Sequence, residues 1–566
     1  MNVKLICSFL GSVAFSLGLA MLACTLWGLP VFGGTAYDVN GVAGLVKGAA
    51  TCFAAALIFT FFGRNASANR AHLRDALAGV AFCWIVATLL AATPYLFSEV
   101  ERGGGCRVGV CDAIFESASG LTTTGGTIFS ELEDPSTLPR TISFWRSMTH
   151  FLGGIGVMCC FVAVLGKGAE GKAVLKAERL FSGNLPFAKM KELAFSLFKI
   201  YLTICVGCFI WLFLCGASVY DSAYHAFSTA ALGGFSSYND SLGHFAHDPN
   251  VNAPFAEVGV IIFMIISGTN YWLLYWALRG NPDKIVKDFE WRAFVGSLLL
   301  AALFTTFVGA AKGDFVTAGS SYEPFEARAE SASREHLDSE ISARDETNES
   351  NAEDGRRGRR RGEICSSYLS AFRKSMFHVT SLATGAGFVT DRYESWNATT
   401  SAMLLVLMFV GGCSASTAGG IKVFRAVLTL KVLARETERR YRPSVVRSTR
   451  IAGENVSRET ASVAVRYVVI FACLIVATTL VVTAIEPDAT WASYERPQME
   501  KLIDLGTGAL SMFANVGPRF GEYGSFNDYG SLTDLTKLIF SWAMIVGRLE
   551  IWPMLAILSA RFWRNR

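Results

Sequence analysis

Four short stretches of the sequence carry residues whose types and spacing suit the coordination of a cation. They read SASGLTTTGGTIF, AFSTAALGGFSSY, VTSLATGAGFVTD and LSMFANVGPRFGE, and they align on Gly125, Gly234, Gly387 and Gly517. A serine stands six residues before each glycine (Ser119, Ser228, Ser381, Ser511), and two copies have a histidine nine before it (His225, His378). An acidic residue follows each glycine by four to six places: Glu131, Asp240, Asp391 and Glu522. Each glycine closes a half-apolar segment too short to cross a bilayer (112–124, 221–233, 367–386 and 500–516). A half-helix entering from outside turns its partially negative C-terminal end toward the membrane centre, which favours a cation. The strand that returns outward can line a passage with backbone carbonyls in place of the ion's hydration shell. Glycine permits the backbone angles that aim those carbonyls inward, and the acidic residues concentrate cations at the outer mouth. Helix packing through small residues accounts for any one such glycine. It does not account for four in phase with the flanking spans and sharing a serine. The four sites read as one cation pore.

The elements that must position these turns are membrane spans. Of 566 residues, 52% are hydrophobic, 17% charged and 53 are glycine, a composition poorer in charge than a soluble domain's roughly 25%. Apolar runs long enough to cross a bilayer lie at 5–28, 41–63, 76–97, 141–165, 194–217, 255–279, 291–311, 400–431, 463–485 and 535–562. These ten spans predict an all-α polytopic membrane protein, and they exclude a disordered chain, a coiled coil and an ordinary cytosolic enzyme. The first span lacks a basic leader beyond Lys4 and reads as retained, not as a cleaved signal. Non-helical backbone at membrane depth survives only when it is buried in protein or lines water, so the four short segments read as re-entrant. The unit is span, half-helix, glycine turn, span, four times over.

Loop charge orients the chain. Arg64, Arg70 and Arg74, then Lys167, Lys172, Lys176, Arg179, Lys189 and Lys191, then Arg435 to Arg450, and finally Arg561, Arg564 and Arg566 mark one side; 218–254 has no Lys or Arg. The positive-inside rule places both termini in the cytoplasm and the short segments outside. The polar stretch 320–363, with Glu326, Glu330, Asp338 and Asp354 followed by Arg356 to Arg361, has a disordered composition and no assigned role. Most of the 14 cysteines lie in apolar runs as small hydrophobes. Only Cys106 and Cys111 share a short polar loop where a disulfide can form.

Two further features carry chemistry. The eighth span contains Gly411, Gly412, Ser414, Ser416, Thr417, Gly419 and Gly420. A continuous helix would lose about 1 kcal/mol per glycine there, so the span is expected to break into a loop beneath the turns. Arg548 lies inside the last span, two residues before Glu550, as either a functional cation or an internal ion pair. The seven histidines include no HExxH, and no carboxylate pair sits at ligand spacing on one span, so neither an enzyme nor a transition-metal site is predicted. A secondary carrier would show inverted repeats, whereas these four copies share one orientation. The chain contains no nucleotide-binding motif.

The segments GLTTTGGT (120–127), FWRSMTHFLGGIGV (144–157), STAALGGFS (228–236), GGCSASTAGGIKVFR (411–425) and GRLEIWPML (547–555) resemble the Trk/Ktr/HKT potassium transporter superfamily, specifically its TrkH/TrkG membrane subunits. The resemblance covers nearly the whole chain except 320–363. It implies four M1–pore-helix–M2 units around one central pore (76–192, 193–289, 290–459 and 460–566), preceded by two extra helices within 1–75. It implies K⁺ held by backbone carbonyls at Thr123, Thr124 and Gly125, at Leu232, Gly233 and Gly234, at Gly385, Ala386 and Gly387, and at Asn515, Val516 and Gly517. Glycine in all four copies matches the potassium-preferring pattern. The resemblance further implies an intramembrane gate at 411–420, a conduction-limiting role for Arg548, a homodimer in a bacterial inner membrane, and a cytosolic TrkA-type subunit that carries the nucleotide. No cofactor and no nucleic acid are expected on this chain. Transport coupled to H⁺ or Na⁺, or a less selective K⁺/Na⁺ pathway, is the alternative on the same scaffold. After Gly517 the family has Pro then Gly, whereas this chain has Pro518 and Arg519, a cation expected at the outer mouth, where it either lowers K⁺ affinity or pairs with Glu522.

Overall fold

The computed structural model describes the chain except residues 1, 35–37, 65–72, 104, 166–189, 313, 316–367, 445–447, 452–453, 493–495, 522–523, 525–527 and 565–566. Glu522, the insert 320–363 and most of the basic loop 166–192 therefore lie outside the described residues.

Helices dominate. In chain order they are α1 (Val3–Cys24), α2 (Asp38–Phe62), α3 (Leu73–Ala91), α4 (Val110–Leu121), α5 (Arg140–Leu165), α6 (Met190–Leu214), α7 (Val219–Ala231), α8 (Ala253–Ser267), α9 (Tyr271–Leu278), α10 (Phe289–Lys312), α11 (Tyr368–Thr384), α12 (Ala398–Phe409), α13 (Val423–Tyr441), α14 (Arg458–Ile485), α15 (Pro497–Ala514), α16 (Asp534–Arg548) and α17 (Trp552–Leu558). Among the described residues the only strands are the two-residue pair Arg450–Ile451 and Glu454–Asn455. Among the described residues six helices are long and apolar enough to cross a membrane, and a seventh span is added if α8 and α9 form one. Their outer faces expose Leu300, Phe307 and Leu480 at 71%, 78% and 67%, which only a lipid environment tolerates in such numbers. The chain is a multi-pass membrane protein.

Two expected spans are interrupted. The run 255–279 bends by 101° between α8 and α9. Here the Asn270 side chain caps Trp272, and the Gly268 carbonyl, released from its helix, accepts from the amide of Cys413. The run 535–562 breaks after α16, where Glu550 and Ile551 both take positive φ (56° and 66°). That conformation is a genuine outlier for β-branched isoleucine, and a 2.6 Å ion pair from Arg425 to Glu550 holds it. The eighth span breaks at 410–422, as its glycines predict.

The four short helices α4, α7, α11 and α15 lie inside the bundle. Ala118, Ala230, Val379 and Met512 are fully buried, as are the neighbouring Trp145 and Tyr224. The helix N-terminal ends are tied down by side chains. Ser218 caps α7, and Asp112 on α4 pairs with Lys537 of α16 at 2.5 Å. Cys106 and Cys111 are unbridged.

Candidate ion pathway

The four short helices end in the same backbone pattern. The carbonyls of Ser119, Ser228, Ser381 and Ser511 accept from the amides five residues on, those of Thr124 (2.9 Å), Gly233 (2.9 Å), Ala386 (2.8 Å) and Val516 (3.0 Å). The residue before each of these amides is left-handed: Thr123 (φ 51°), Leu232 (56°), Gly385 (79°) and Asn515 (53°). This is the Schellman closure of a helix C-terminus, and it explains why the serine recurs at a fixed distance. The anchoring glycine follows two residues later, again left-handed, with φ of 89° (Gly125), 80° (Gly234), 70° (Gly387) and 97° (Gly517).

The four turns meet in a closed cycle. A Cβ on Gly125 would lie 2.1 Å from the carbonyl oxygen of Gly233; on Gly234, 2.2 Å from that of Ala386; on Gly387, 2.0 Å from that of Val516; and on Gly517, 2.4 Å from that of Thr124. Each glycine thus abuts the residue that precedes its counterpart in the next turn, and the fourth returns to the first. Space and φ both demand glycine at these positions. The Asn515 side chain adds a bond from the fourth turn to Thr124 Oγ1 (2.9 Å). A pocket lined by Gly125, Gly234 and Gly387, with Tyr238 and Asn239, opens from this ring.

A second layer fixes the returning strands. Nine residues before the glycines, His225 binds Ser236 Oγ (3.0 Å) and His378 receives the amide of Thr390 (3.4 Å). The same position in the first copy is Glu116, which accepts from the amide of Ile128 (2.9 Å) and pairs with Arg146 (2.7 Å). In the fourth copy the ninth position is Gly508, and its neighbour Thr507, ten before Gly517, accepts from the amide of Phe520 (3.0 Å). Arg146 is 1% exposed and also donates to Thr127 and to the carbonyl of Ser236, so one cation joins the first and second returning strands. Of these groups only the two histidines stand out in the sequence; Glu116 and Arg146, the latter within FWRSMTHFLGGIGV, gain a role only from the fold. The alignment on Gly125 was the signal that could have found Glu116.

The loop 410–422 lies against these turns. A Cβ on Gly419 would fall 2.1 Å from the carbonyl of Ala514, and one on Gly411 2.0 Å from that of Gly419. Thr417 Oγ1 donates to the carbonyls of Ala230 and Ser267, Ser416 Oγ to that of Cys413, and Gly420 has φ 66°. Glu290, which sequence reading missed, clamps both ends: it accepts from the amide and hydroxyl of Ser414 (2.7 and 2.9 Å) and from the amide of Phe424 (3.3 Å). Gly412 accepts from the amide of Val423. Lys422 Nζ bonds the Ala418 carbonyl, and Arg548 donates to the carbonyl of Thr417 at 2.7 Å.

The acidic residues after the turns are largely engaged. Glu131 accepts from the amides of Glu133 and Asp134 and from Asn239 Nδ2. Asp240 stands 3.5 Å from His244, and Asp391 pairs with Lys374 at 2.8 Å. Arg519, expected at the outer mouth, is instead fully buried. It donates to the carbonyl of Asp528 (2.6 Å) and lies 4.3 Å over the ring of Tyr529, whose hydroxyl donates to the carbonyl of Gly517 (2.8 Å).

Fold and site together define a polytopic membrane protein that brings four helix C-termini and their carbonyl-bearing turns to one ring. The family model described as TrkH, cation transport protein, matches residues 46–308 and 364–564, and the chain belongs to that family. The unmatched interval contains the polar insert. The Trk system potassium uptake protein TrkH of Salmonella typhimurium is 29% identical over 500 residues, covering 87% of this chain and 86% of the relative. The Trk system potassium uptake protein TrkG of Escherichia coli is 27% identical over 497 residues, with 87% and 86% covered. The crystal structure of the potassium transporter TrkH from Vibrio parahaemolyticus superposes with a TM-score of 0.77 at 25% identity, covering 100% of both chains. The chain is a transporter and not an enzyme.

Proposed function

We propose that this protein carries K⁺ into the cell across the inner membrane, through a pore framed by four M1–pore-helix–M2 units. The observation that carries this reading is the closed cycle of glycine-to-carbonyl contacts through Gly125, Gly234, Gly387 and Gly517. The carbonyls of residues 123–125, 232–234, 385–387 and 515–517 coordinate the ion in place of water, at the partially negative ends of four half-helices. The potassium uptake named for its relatives supports K⁺ as the cargo. Membrane potential drives entry at ~2.3 kcal/mol per charge per 100 mV.

In this reading 411–420 obstructs the passage beneath the ring and Arg548 holds it there. Both termini are cytoplasmic, the membrane subunit is a homodimer, and a cytosolic TrkA-type subunit supplies nucleotide control. The same scaffold also suits cation-coupled symport. The test is K⁺-dependent growth of an uptake-deficient bacterium that expresses this chain with a compatible cytosolic subunit. Rescue at low K⁺, weakened by serine at Gly125, Gly234, Gly387 or Gly517, is expected; absence of rescue by a chain that reaches the membrane overturns the proposal.

A further inference from the structure

Sequence spacing predicts no transition-metal site, yet the fold assembles three ligand-bearing side chains from two loops. Glu133 follows the first returning strand, whereas Asp240 and His244 follow the second. Their ligand atoms all lie within 4.8 Å of one another. His244 Nδ1 is 3.5 Å from Asp240 Oδ1 and 4.0 Å from Glu133 Oε1. Asp240 Oδ1 is buried, and its 3.5 Å contact with His244 Nδ1 is an ion-pair distance, too long for a good hydrogen bond. The same separation suits two ligands of one tetrahedral ion: with bonds of about 2.0–2.1 Å, adjacent ligands stand about 3.4 Å apart.

The surroundings hold the three groups ready. Tyr238 stacks on the His244 ring with centroids 3.7 Å apart and planes 6° from parallel, which fixes the imidazole's orientation. Asn239 locks the two loops together: its amide donates to Glu133 Oε1 (3.0 Å), its Nδ2 to Glu131 (2.9 Å), and its Oδ1 accepts from the amide of Leu132 (2.8 Å). One imidazole nitrogen and two carboxylates, with side chains 13–39% exposed, are all ligand types that Zn²⁺ takes, and three of them leave a fourth position to water. Tyr238 and Asn239 also line the pocket over Gly125 and Gly234, so the cluster sits at the rim of the ring.

We propose that Glu133, Asp240 and His244 bind one divalent transition-metal ion of the Zn²⁺ type and thereby pin the first and second returning strands to each other. Calorimetric titration of the purified full-length protein with Zn²⁺ tests this without any transport measurement, so it stands or falls apart from the K⁺ reading. One ion per chain is expected. His244→Ala and Asp240→Asn should each weaken binding at least about tenfold, the effect typical of disturbing a metal site, while His247→Ala, an exposed histidine three residues on, leaves it unchanged. A single symmetrical peak in size-exclusion chromatography certifies that the variants are folded. No Zn²⁺ bound by the parent protein, or equal binding by parent and both variants, overturns the proposal. A second readout rests on the transport reading: Zn²⁺ should slow ⁸⁶Rb⁺ uptake by the parent protein and not by His244→Ala.

Discussion

The guanidinium of Arg548 donates to the carbonyl of Thr417 at 2.7 Å, tying the last residue of one helix to the middle of the loop 410–422. Other anchors of the loop are Glu290 on α10, its own Lys422, and the bonds from Thr417 Oγ1 and the Cys413 amide to carbonyls of the second unit. Arg548 is the side chain that hydrogen-bonds it to the fourth unit, beside the approach of Gly419 to the Ala514 carbonyl. A hydrogen bond from a charged donor is worth about 1.5–3 kcal/mol. Arg548→Ala should therefore shift the loop toward an unlatched state by about ten- to a hundredfold and raise ⁸⁶Rb⁺ flux into proteoliposomes. Flux equal to the parent's at equal protein incorporation counts against a latch.

The glycine ring separates two effects at one residue type. Gly387→Ala must place a methyl 2.0 Å from the Val516 carbonyl at φ 70° and should reduce uptake more than tenfold, or prevent assembly. Gly105→Ala has a similar φ of 73° but nothing within 4 Å; it should cost only the roughly 1–2 kcal/mol of a left-handed alanine and leave uptake intact. Growth on low K⁺ compares the two directly.

Removing one member of the buried pair Glu116–Arg146 leaves the other charge uncompensated, at about 3–5 kcal/mol. Glu116→Ala should lower the thermal midpoint in detergent more than Glu116→Gln, because glutamine can still accept from Ile128 and Thr127. Identical midpoints for the two variants would show that acceptance from Ile128 and Thr127 does not hold the first strand.

Arg519, Tyr529 and Gly517 form a chain behind the fourth turn. Arg519→Gly withdraws the cation from the Tyr529 face; Tyr529→Phe removes the bond to the Gly517 carbonyl. Both should change the K⁺-over-Na⁺ preference of ⁸⁶Rb⁺ uptake in competition assays, and the double variant should change it no more than Tyr529→Phe alone. Additive effects would place Arg519 on a separate path.

Much of this was legible in the chain because the signals are local. Apolar runs mark helices for a bilayer whatever packs beside them. A glycine six residues after a serine marks a helix end whose carbonyl is capped by the amide five residues on. The broken eighth span was readable from its glycines, since their propensity cost does not depend on partners. The breaks at 268–270 and 549–551 were not. Asn270 and Ile551 look like ordinary residues of an apolar run, and what interrupts the helices is a loop amide, that of Cys413, in one case and Arg425 in the other. Arg519 was misplaced for a related reason: its proximity to Gly517 in sequence suggested the mouth, while Tyr529 and the Asp528 carbonyl draw it inward.

The sequence by itself determined that four turns would be alike and would lie within a membrane, because backbone conformation and hydrophobic burial follow from residue type over a few positions. Only the tertiary structure decided that they close on one another in the order first, second, third, fourth, that Glu116 and Arg146 share one buried site, and that Glu133 meets His244. Those pairings join residues 30 to several hundred positions apart, and they exist only where the packed helices bring their partners within a few ångströms.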